Sequence, residues 1–464
     1  MEAEFKDMGG PSAIEVGALQ RWIQSMWLRS ICSEKRLLRR RKQEDSSRAQ
    51  GGEQHVVEFF YGASDPYSHL AAQTLCKLKE RHSLHFKFNL VSQPSGDNGP
   101  EPEMLRKLNR VDCRIVAQAY GLEFPDHDST LDPSLVNLAN SILSAQSAEN
   151  FIAIVSEVGQ ALWEDDGVRL EKLKTKFGGL DDDESLSCIE RGNARREKLG
   201  HYSEAMFYYG GEWYWGIDRL HHLEERLAGL LPGQQPEIPI CFPRPKIENG
   251  PLKDDGSLTL EFFPTLRSPY TAIIFERVVK LASDTGIALK VLPVLPMVMR
   301  GVPTTKNKGA YIFWDAAREA RSAGVPFGKI YDPVGRPVRR CYSLYPWATQ
   351  QGKGVDLLGS FLKAVMSEGI NCDNDRGLRS VVERAGLNWS DARKHIGDNE
   401  WEPLLERNRR QLYSLGIWGT PSFRLLDNKG VQKSAWWGQD RLWIVSRQVQ
   451  QLLSLRNNKN TKLH

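Results

Sequence analysis

The sequence predicts two α/β domains in tandem, each with a helical insertion, behind a basic amphipathic N-terminal helix. Three observations carry this. A strand–turn–helix–strand order occurs twice, over residues 55–91 and 258–293, and such an order produces parallel strands joined by a right-handed crossover. Landmarks recur at one spacing: Pro66-Tyr67 and Pro269-Tyr270 stand 203 positions apart (269 − 66), as do Asp112 and Asp315, Gly121 and Gly324, and Phe124 and Phe327. Near the end of each half, Trp215-Gly216-Ile217-Asp218-Arg219-Leu220 faces Trp437-Gly438-Gln439-Asp440-Arg441-Leu442 at a spacing of 222 (437 − 215), so the second half holds 19 more residues (222 − 203). An ordered set of such matches reads as internal duplication.

Taken in order, residues 1–50 form the N-terminal segment. Leu19, Trp22, Ile23, Met26, Trp27 and Ile31 recur at helical spacing, and Lys35, Arg36, Arg39, Arg40, Arg41 and Lys42 follow. A basic amphipathic helix of this kind can lie on a membrane surface or touch a nucleic acid. The simpler reading packs the Trp/Leu stripe on the next domain and leaves the charges in water. The first domain spans 51–229. His55–Tyr61 reads as a strand, Tyr67–Arg81 as a helix, and His85–Val91 as a second strand. Asn109–Leu122 and Ser134–Trp163 carry helical periodicity, Asp181-Asp182-Asp183-Glu184 suits an acidic helix start, and Met206–Trp215 reads as a hairpin around Gly210-Gly211. Residues 230–256, rich in Pro and Gly at their start, read as a linker. The second domain spans 257–458, with strands at Leu258–Phe263 and Ala288–Pro293 flanking a helix at Tyr270–Thr285.

Composition bounds the function. The chain has 464 residues, 40% hydrophobic and 26% charged, with 62 Lys and Arg against 58 Asp and Glu. That is ordinary globular composition, too balanced to announce a nucleic-acid partner. The seven cysteines include no CxxC pair, and their scattered, odd number suits a reducing compartment. No run approaches the ~18 apolar residues of a membrane span, and the start, with Glu2, Glu4 and Asp7, has no export leader. The expectation is a cytoplasmic protein. His82/His85 and His221-His222 lack further ligands at metal spacing, so no metal is expected.

Chemistry is concentrated at the turn before the first helix of each half. In the second half, Ser268-Pro269 places a serine at the N-cap and a proline at the first helical position, where free amides and the helix dipole favour negative charge. Further on, Gly419-Thr420-Pro421 leads into a strand, a setting in which a cis proline is a candidate.

These residues, with Lys308, Tyr311, Asp315 and Arg318, Gly324-Val325-Pro326-Phe327 and Trp437-Gly438-Gln439-Asp440-Arg441-Leu442, resemble the DsbA-like thioredoxin family. They are most similar to the branch holding 2-hydroxychromene-2-carboxylate isomerase and the kappa-class glutathione transferases. The resemblance covers most of residues 257–455, and residues 54–228 more weakly. It implies two thioredoxin-like domains in one chain, with Ser268 and Thr271 standing where DsbA has its two cysteines. Glutathione would then supply the missing sulfur, with Ser268 as the catalytic residue that hydrogen-bonds its thiolate. Thr420, Pro421, Gln439, Asp440 and Lys308 would bind the rest of the tripeptide. The substrate implied is an aromatic or unsaturated acid.

The first half departs from the pattern. It has Asp65 where the second has Ser268, and Ser203-Glu204-Ala205-Met206 in place of a Thr-Pro. A carboxylate there repels a thiolate, so the first half reads as a structural copy, or one using Asp65 as a general base. The relatives' glutathione-binding Asn also has no counterpart in residues 299–305. The charges of Lys308, Asp315 and Arg318 have a plainer reading as a solvated helix face, and Trp213, Trp215, Trp436 and Trp437 as hairpin and core packing. Two rivals remain: a thioredoxin-like scaffold that adds a partner strand beside Thr420-Pro421, and a disulfide oxidoreductase, which lacks its CxxC.

Overall fold

The computed structural model describes residues 15–82, 84–125, 130–230, 240–302 and 304–461, with side chains to residue 456. Residues 231–239 of the expected linker lie outside the described residues, as does the chain start with Glu2, Glu4 and Asp7. Two compact units are present, one over Leu37–Pro245 and one joining Lys246 onward with the chain up to Arg36.

The unit of residues 37–245 is built on β1 (Val56–Tyr61), β2 (His85–Leu90), β3 (Met206–Tyr209) and β4 (Glu212–Trp215), in the order β2-β1-β3-β4. β1 pairs parallel with β2 and antiparallel with β3. The hairpin between β3 and β4 closes on Gly210 and Gly211, at φ +53 and +79, which is why two glycines are needed there. The sheet is covered on both faces, so β1 reads as a near-continuous apolar run: Val57, Phe59, Phe60 and Tyr61 are all buried. The expected helix at 67–81 is two helices, Pro66–Ala72 and Leu75–His82, and that at 134–163 is Pro133–Ser144 and Ala148–Trp163. In the latter pair Ser147 caps the second helix by accepting from Asn150 N–H. The helix expected at 109–122 runs Pro102–Tyr120, because Pro102 opens it at a position where a missing N–H costs nothing. Asp181 caps the Asp182–Lys198 helix, whose first turn carries Asp182, Asp183 and Glu184.

The other unit holds β5 (Thr259–Phe263), β6 (Ala288–Val291), β7 (Ser422–Leu426) and β8 (Gln432–Trp437), in the order β6-β5-β7-β8. Strand senses repeat: β5 is parallel to β6 and antiparallel to β7. Each central strand also buries a glutamate at the same place, Glu58 against Arg195 and Glu261 against Arg424 and Lys290. Helices Lys306–Ser322, Arg336–Gln350, Gly354–Lys363, Asp375–Arg384 and Trp401–Tyr413 are inserted between β6 and β7.

The N-terminal segment is two helices, Ala18–Cys32 and Glu34–Gln50, broken at Ser33. The expected packing of its apolar stripe is overturned. The Ala18–Cys32 helix buries Arg21, Ser25, Leu28 and Cys32, while Leu19, Trp22, Ile23, Met26 and Trp27 are exposed. The reason is polar. Arg21 Nη1 donates to the carbonyls of Asp332 (2.9 Å) and Val334 (2.6 Å), Ser25 Oγ accepts from Asp332 N–H, and Arg29 donates to the Ile330 carbonyl. Residues 330–334 form no regular structure, so their backbone groups need such partners. Among the described residues, no helix is long and apolar enough to cross a membrane.

Candidate active site

In the 246–464 unit the turn between β5 and the Pro269–Thr285 helix is fixed from three sides. Ser268 is half-buried and Oγ accepts from Thr271 N–H at 3.2 Å. Thr271 is fully buried, and its hydroxyl accepts from Thr265 N–H. Tyr342, from an inserted helix, accepts from Leu266 N–H and donates to the Val294 carbonyl. Arg267 forms a double hydrogen bond to Asp332, both arms 2.9 Å. Burial alone would raise the Asp332 carboxyl, but the adjacent Arg267 charge outweighs it and holds the group below its ordinary value.

Register brings the proline loop to this turn. Phe263, the last residue of β5, pairs with Ser422, so Pro421 lies at the strand end from which the Ser268 turn departs. The Thr420–Pro421 peptide is cis. Gly438 N–H donates to the Pro421 carbonyl at 2.9 Å, which places the following turn, Gln439–Arg441, beside the same loop. Gly419 is required here, since a Cβ would lie 2.1 Å from the Trp437 ring. Lys308 Nζ stands 6.0 Å from the Trp418 ring centre, and burial lowers its pKa to about 8. The structure thus draws Ser268, Lys308, Thr420, Pro421, Gln439 and Asp440 towards one end of one sheet.

Their exposures differ. Gln439 is buried, and its amide donates to Glu319 Oε2 at 2.6 Å and to Asp440 Oδ1. Asp440 is half-buried, so of this pair the carboxylate is the accessible group. The solvated-face reading of Lys308, Asp315 and Arg318 is corrected: all three are buried. Asp315 accepts from Tyr270 O–H at 2.8 Å and pairs with Arg318, whose guanidinium lies 4.7 Å from the Trp314 ring centre. Of the four tryptophans read as packing, Trp213 and Trp436 are buried, Trp437 is half-buried, and Trp215 is 38% exposed.

Sequence reasoning missed Arg267–Asp332, Tyr342, Glu319 and Arg300. Arg300 is buried and donates to the carbonyls of Leu295 and Trp418. Arg267 adjoins Ser268, but its partner Asp332 comes from an irregular loop, Tyr342 from an inserted helix 76 positions beyond Leu266, and Glu319 and Arg300 reach the site across more than a hundred residues.

The 37–245 unit carries the same frame with different chemistry. Asp65 caps the Pro66–Ala72 helix, accepting from Ser68 N–H at 2.7 Å, and Ser68 Oγ accepts from Gly62 N–H. Tyr67 O–H donates to Asp112 at 2.6 Å, as Tyr270 does to Asp315. Phe60 pairs with Met206 as Phe263 pairs with Ser422, so Glu204-Ala205 occupy the place of Thr420-Pro421. Gly216 N–H donates to the Ala205 carbonyl as Gly438 does to Pro421. Ala205 has φ +56, in the left-handed region non-glycine residues seldom adopt. Glu204 is buried against the β1 turn, and its Oε2 has no partner among the described residues. Burial raises Asp65 to about 6, and burial together with the Asp65 charge pushes Glu204 well above the usual carboxylate range. An open cavity of about 560 Å³ in this unit, lined by Arg41, Asp45 and Arg226, includes none of these residues.

Comparison with known proteins finds similarity over the second half of the chain. Residues 259–450 match the DSBA-like thioredoxin domain family. The chain is 28% identical over 201 residues to 2-hydroxychromene-2-carboxylate isomerase of Pseudomonas putida, covering 38% of this chain and 95% of that protein. A solved 2-hydroxychromene-2-carboxylate isomerase structure aligns with 20% identity and a TM-score of 0.36, over 44% of this chain and 99% of that one. The cytosolic disulfide reductase DsbM from Pseudomonas aeruginosa aligns with 18% identity and a TM-score of 0.34, over 42% and 99%. Residues 259–450 are therefore a DsbA-like thioredoxin domain, homologous to a 2-hydroxychromene-2-carboxylate isomerase.

Proposed function

We propose that the 246–464 unit is a glutathione-dependent isomerase or transferase acting on an aromatic or unsaturated acid. The observation that carries this is Ser268, half-exposed at the N-terminus of a 17-residue helix and beside a cis Thr420–Pro421 loop. As a cap, Ser268 Oγ uses a lone pair towards Thr271 N–H, which leaves its O–H free to donate outward. Capping and thiolate binding are compatible, and the helix N-terminus lowers a thiol pKa. The homologous isomerase supports enzymatic chemistry of this class.

The residues present fit the tripeptide. Lys308 meets a carboxylate, Asp440 takes the γ-glutamyl ammonium with Gln439 holding it in place, and the Thr420–Pro421 backbone pairs with the peptide main chain. Buried Trp418 Nε1, without a partner among the described residues, is a further donor beside Lys308. Bound glutathione supplies a nucleophilic sulfur that adds to an electrophilic double bond and leaves again after rotation, so it is regenerated. Ser268 and the helix amides hold the negative charge on that sulfur before addition and after release.

We also infer that the two units arose by duplication, which the shared strand order and the paired Tyr67–Asp112 and Tyr270–Asp315 bonds support. The first unit, with Asp65 and Glu204 at the corresponding tip, is a structural copy that binds no thiolate.

Calorimetric titration of glutathione tests this, with Ser268→Ala, Ser268→Asp and Asp65→Ala in parallel. Asp retains the cap, as Asp65 shows, but repels a thiolate. One site, weakened by Ser268→Ala, abolished by Ser268→Asp and untouched by Asp65→Ala, is expected. No binding at millimolar glutathione overturns the proposal and leaves a peptide-binding scaffold. Unchanged binding in Ser268→Asp removes Ser268 from the site.

A further inference from the structure

The Ala18–Cys32 helix is mounted with its polar face inward. Its buried positions, Arg21, Ser25, Leu28 and Cys32, follow one stripe, tied down by the bonds from Arg21, Ser25 and Arg29 to residues 330–334. The opposite stripe carries Leu19, Trp22, Ile23, Met26 and Trp27, between 41% and 70% exposed. Single exposed apolar residues are ordinary, but five large ones on one helical face mark an interaction surface. We propose that this face seats in an anionic lipid surface, with the helix lying in the plane of the headgroups.

Charge and residue type select that occupant. Lys35 and Arg36, in the same unit as this helix, are exposed just beyond its end. Basic residues following an apolar helical face are what an anionic interface recognises. Trp22 and Trp27 are the side chains favoured at the boundary between acyl chain and headgroup. A nucleic acid would need the cations on the contacting face, whereas that face is apolar. Arg21 and Ser25 hold the helix by its far side, so lipid binding needs no rearrangement of the unit. None of the five residues belongs to the Ser268 site, so this surface stands or falls apart from the proposed reaction.

Flotation of the full chain with vesicles tests the proposal, comparing phosphatidylcholine alone with phosphatidylcholine containing phosphatidylserine. The variants are Trp22→Ser/Trp27→Ser and Lys35→Glu/Arg36→Glu, all at exposed positions, with circular dichroism as the fold check. The expected result is binding to anionic vesicles only, weakened by salt and reduced at least about tenfold in either variant. Three results overturn it: no flotation of the wild type, equal flotation with uncharged vesicles, or unchanged partition of the Trp22→Ser/Trp27→Ser chain. Sedimentation without lipid adds a fourth. Self-association abolished by Trp22→Ser/Trp27→Ser would assign the face to a second copy.

Discussion

Asp332 accepts both arms of the Arg267 guanidinium at 2.9 Å, one residue before Ser268, while its own carbonyl accepts from buried Arg21. The pair ties three distant parts of the chain together: the N-terminal helix, an irregular loop and the turn that presents the candidate nucleophile-binding serine. Removing the carboxylate leaves Arg267 without its partner and frees Val334 N–H, loosening the loop whose carbonyls accept from Arg21. Asp332→Ala is therefore expected to destabilise this unit by about 2–4 kcal/mol, below the full cost of a wholly buried pair because Arg267 is partly exposed. Hydrogen exchange read by mass spectrometry should show faster exchange in the Pro269–Thr285 helix and in residues 18–32. Unchanged exchange in both would show that the pair holds neither.

Lys308 gives the site a pH signature. Burial lowers its pKa to about 8, so it carries charge below that pH and loses it above. Affinity for S-methylglutathione, which presents carboxylates without a titrating thiol, should fall as pH rises through 8. Lys308→Arg, which stays charged, should flatten that fall, and Lys308→Met should bind weakly at every pH. A wild-type profile level from pH 7 to 9 would remove Lys308 from carboxylate binding.

Asp65 titrates in the opposite unit with a stability consequence. Its folded pKa is raised from 3.8 to about 6 by burial, so between those values the folded state holds more protons than the unfolded one. Stability then falls as pH rises through that window, and the loss is complete above pH 6. Asp65→Asn keeps the cap and removes the charge. It should raise stability of residues 37–245 at pH 7 by roughly 1–3 kcal/mol and reduce the loss between pH 4 and 6. Exchange protection of peptides from this unit, corrected for intrinsic rates, provides the measurement. A destabilised Asp65→Asn chain at pH 7 would contradict the burial argument.

Gly419 is set by contact. Its missing side chain lets the Trp437 ring approach, and a Cβ would stand 2.1 Å from that ring. Gly419→Ala must displace the tryptophan or the Thr420–Pro421 loop, costing on the order of 1–3 kcal/mol. Glutathione affinity should fall in the same variant by at least about tenfold, because the loop it shifts carries the peptide-binding backbone. A full-affinity Gly419→Ala chain would separate the loop from the site.

Lys308 and Gln439 show where the sequence falls short within the site itself. Both are legible as polar residues at the right spacing, but only the fold shows that Lys308 is buried against Trp418 and that Gln439 spends its amide on Glu319 and Asp440. Burial decides whether a polar side chain meets a ligand or its neighbour, and burial is not a property of spacing.

The sequence by itself determined the elements and their order. Apolar runs of strand length marked β1 and β5, Ser268-Pro269 and Asp65-Pro66 the helix starts, Gly210-Gly211 the hairpin, and ordered matches at offsets of 203 and then 222 the likeness of the two halves. These are local signals, fixed by backbone sterics and the alternation or rotation of side chains along one element. Tertiary structure alone decided the rest. It turned the apolar stripe of Leu19, Trp22, Ile23, Met26 and Trp27 outward, because unsatisfied backbone groups at 330–334 took the polar face that carries Arg21 and Ser25. It joined Arg267 to Asp332, set Tyr342 under the Ser268 turn, and buried Asp65 with Glu204. Each depends on which distant groups are left without partners once the chain has folded, and no spacing along the sequence records that.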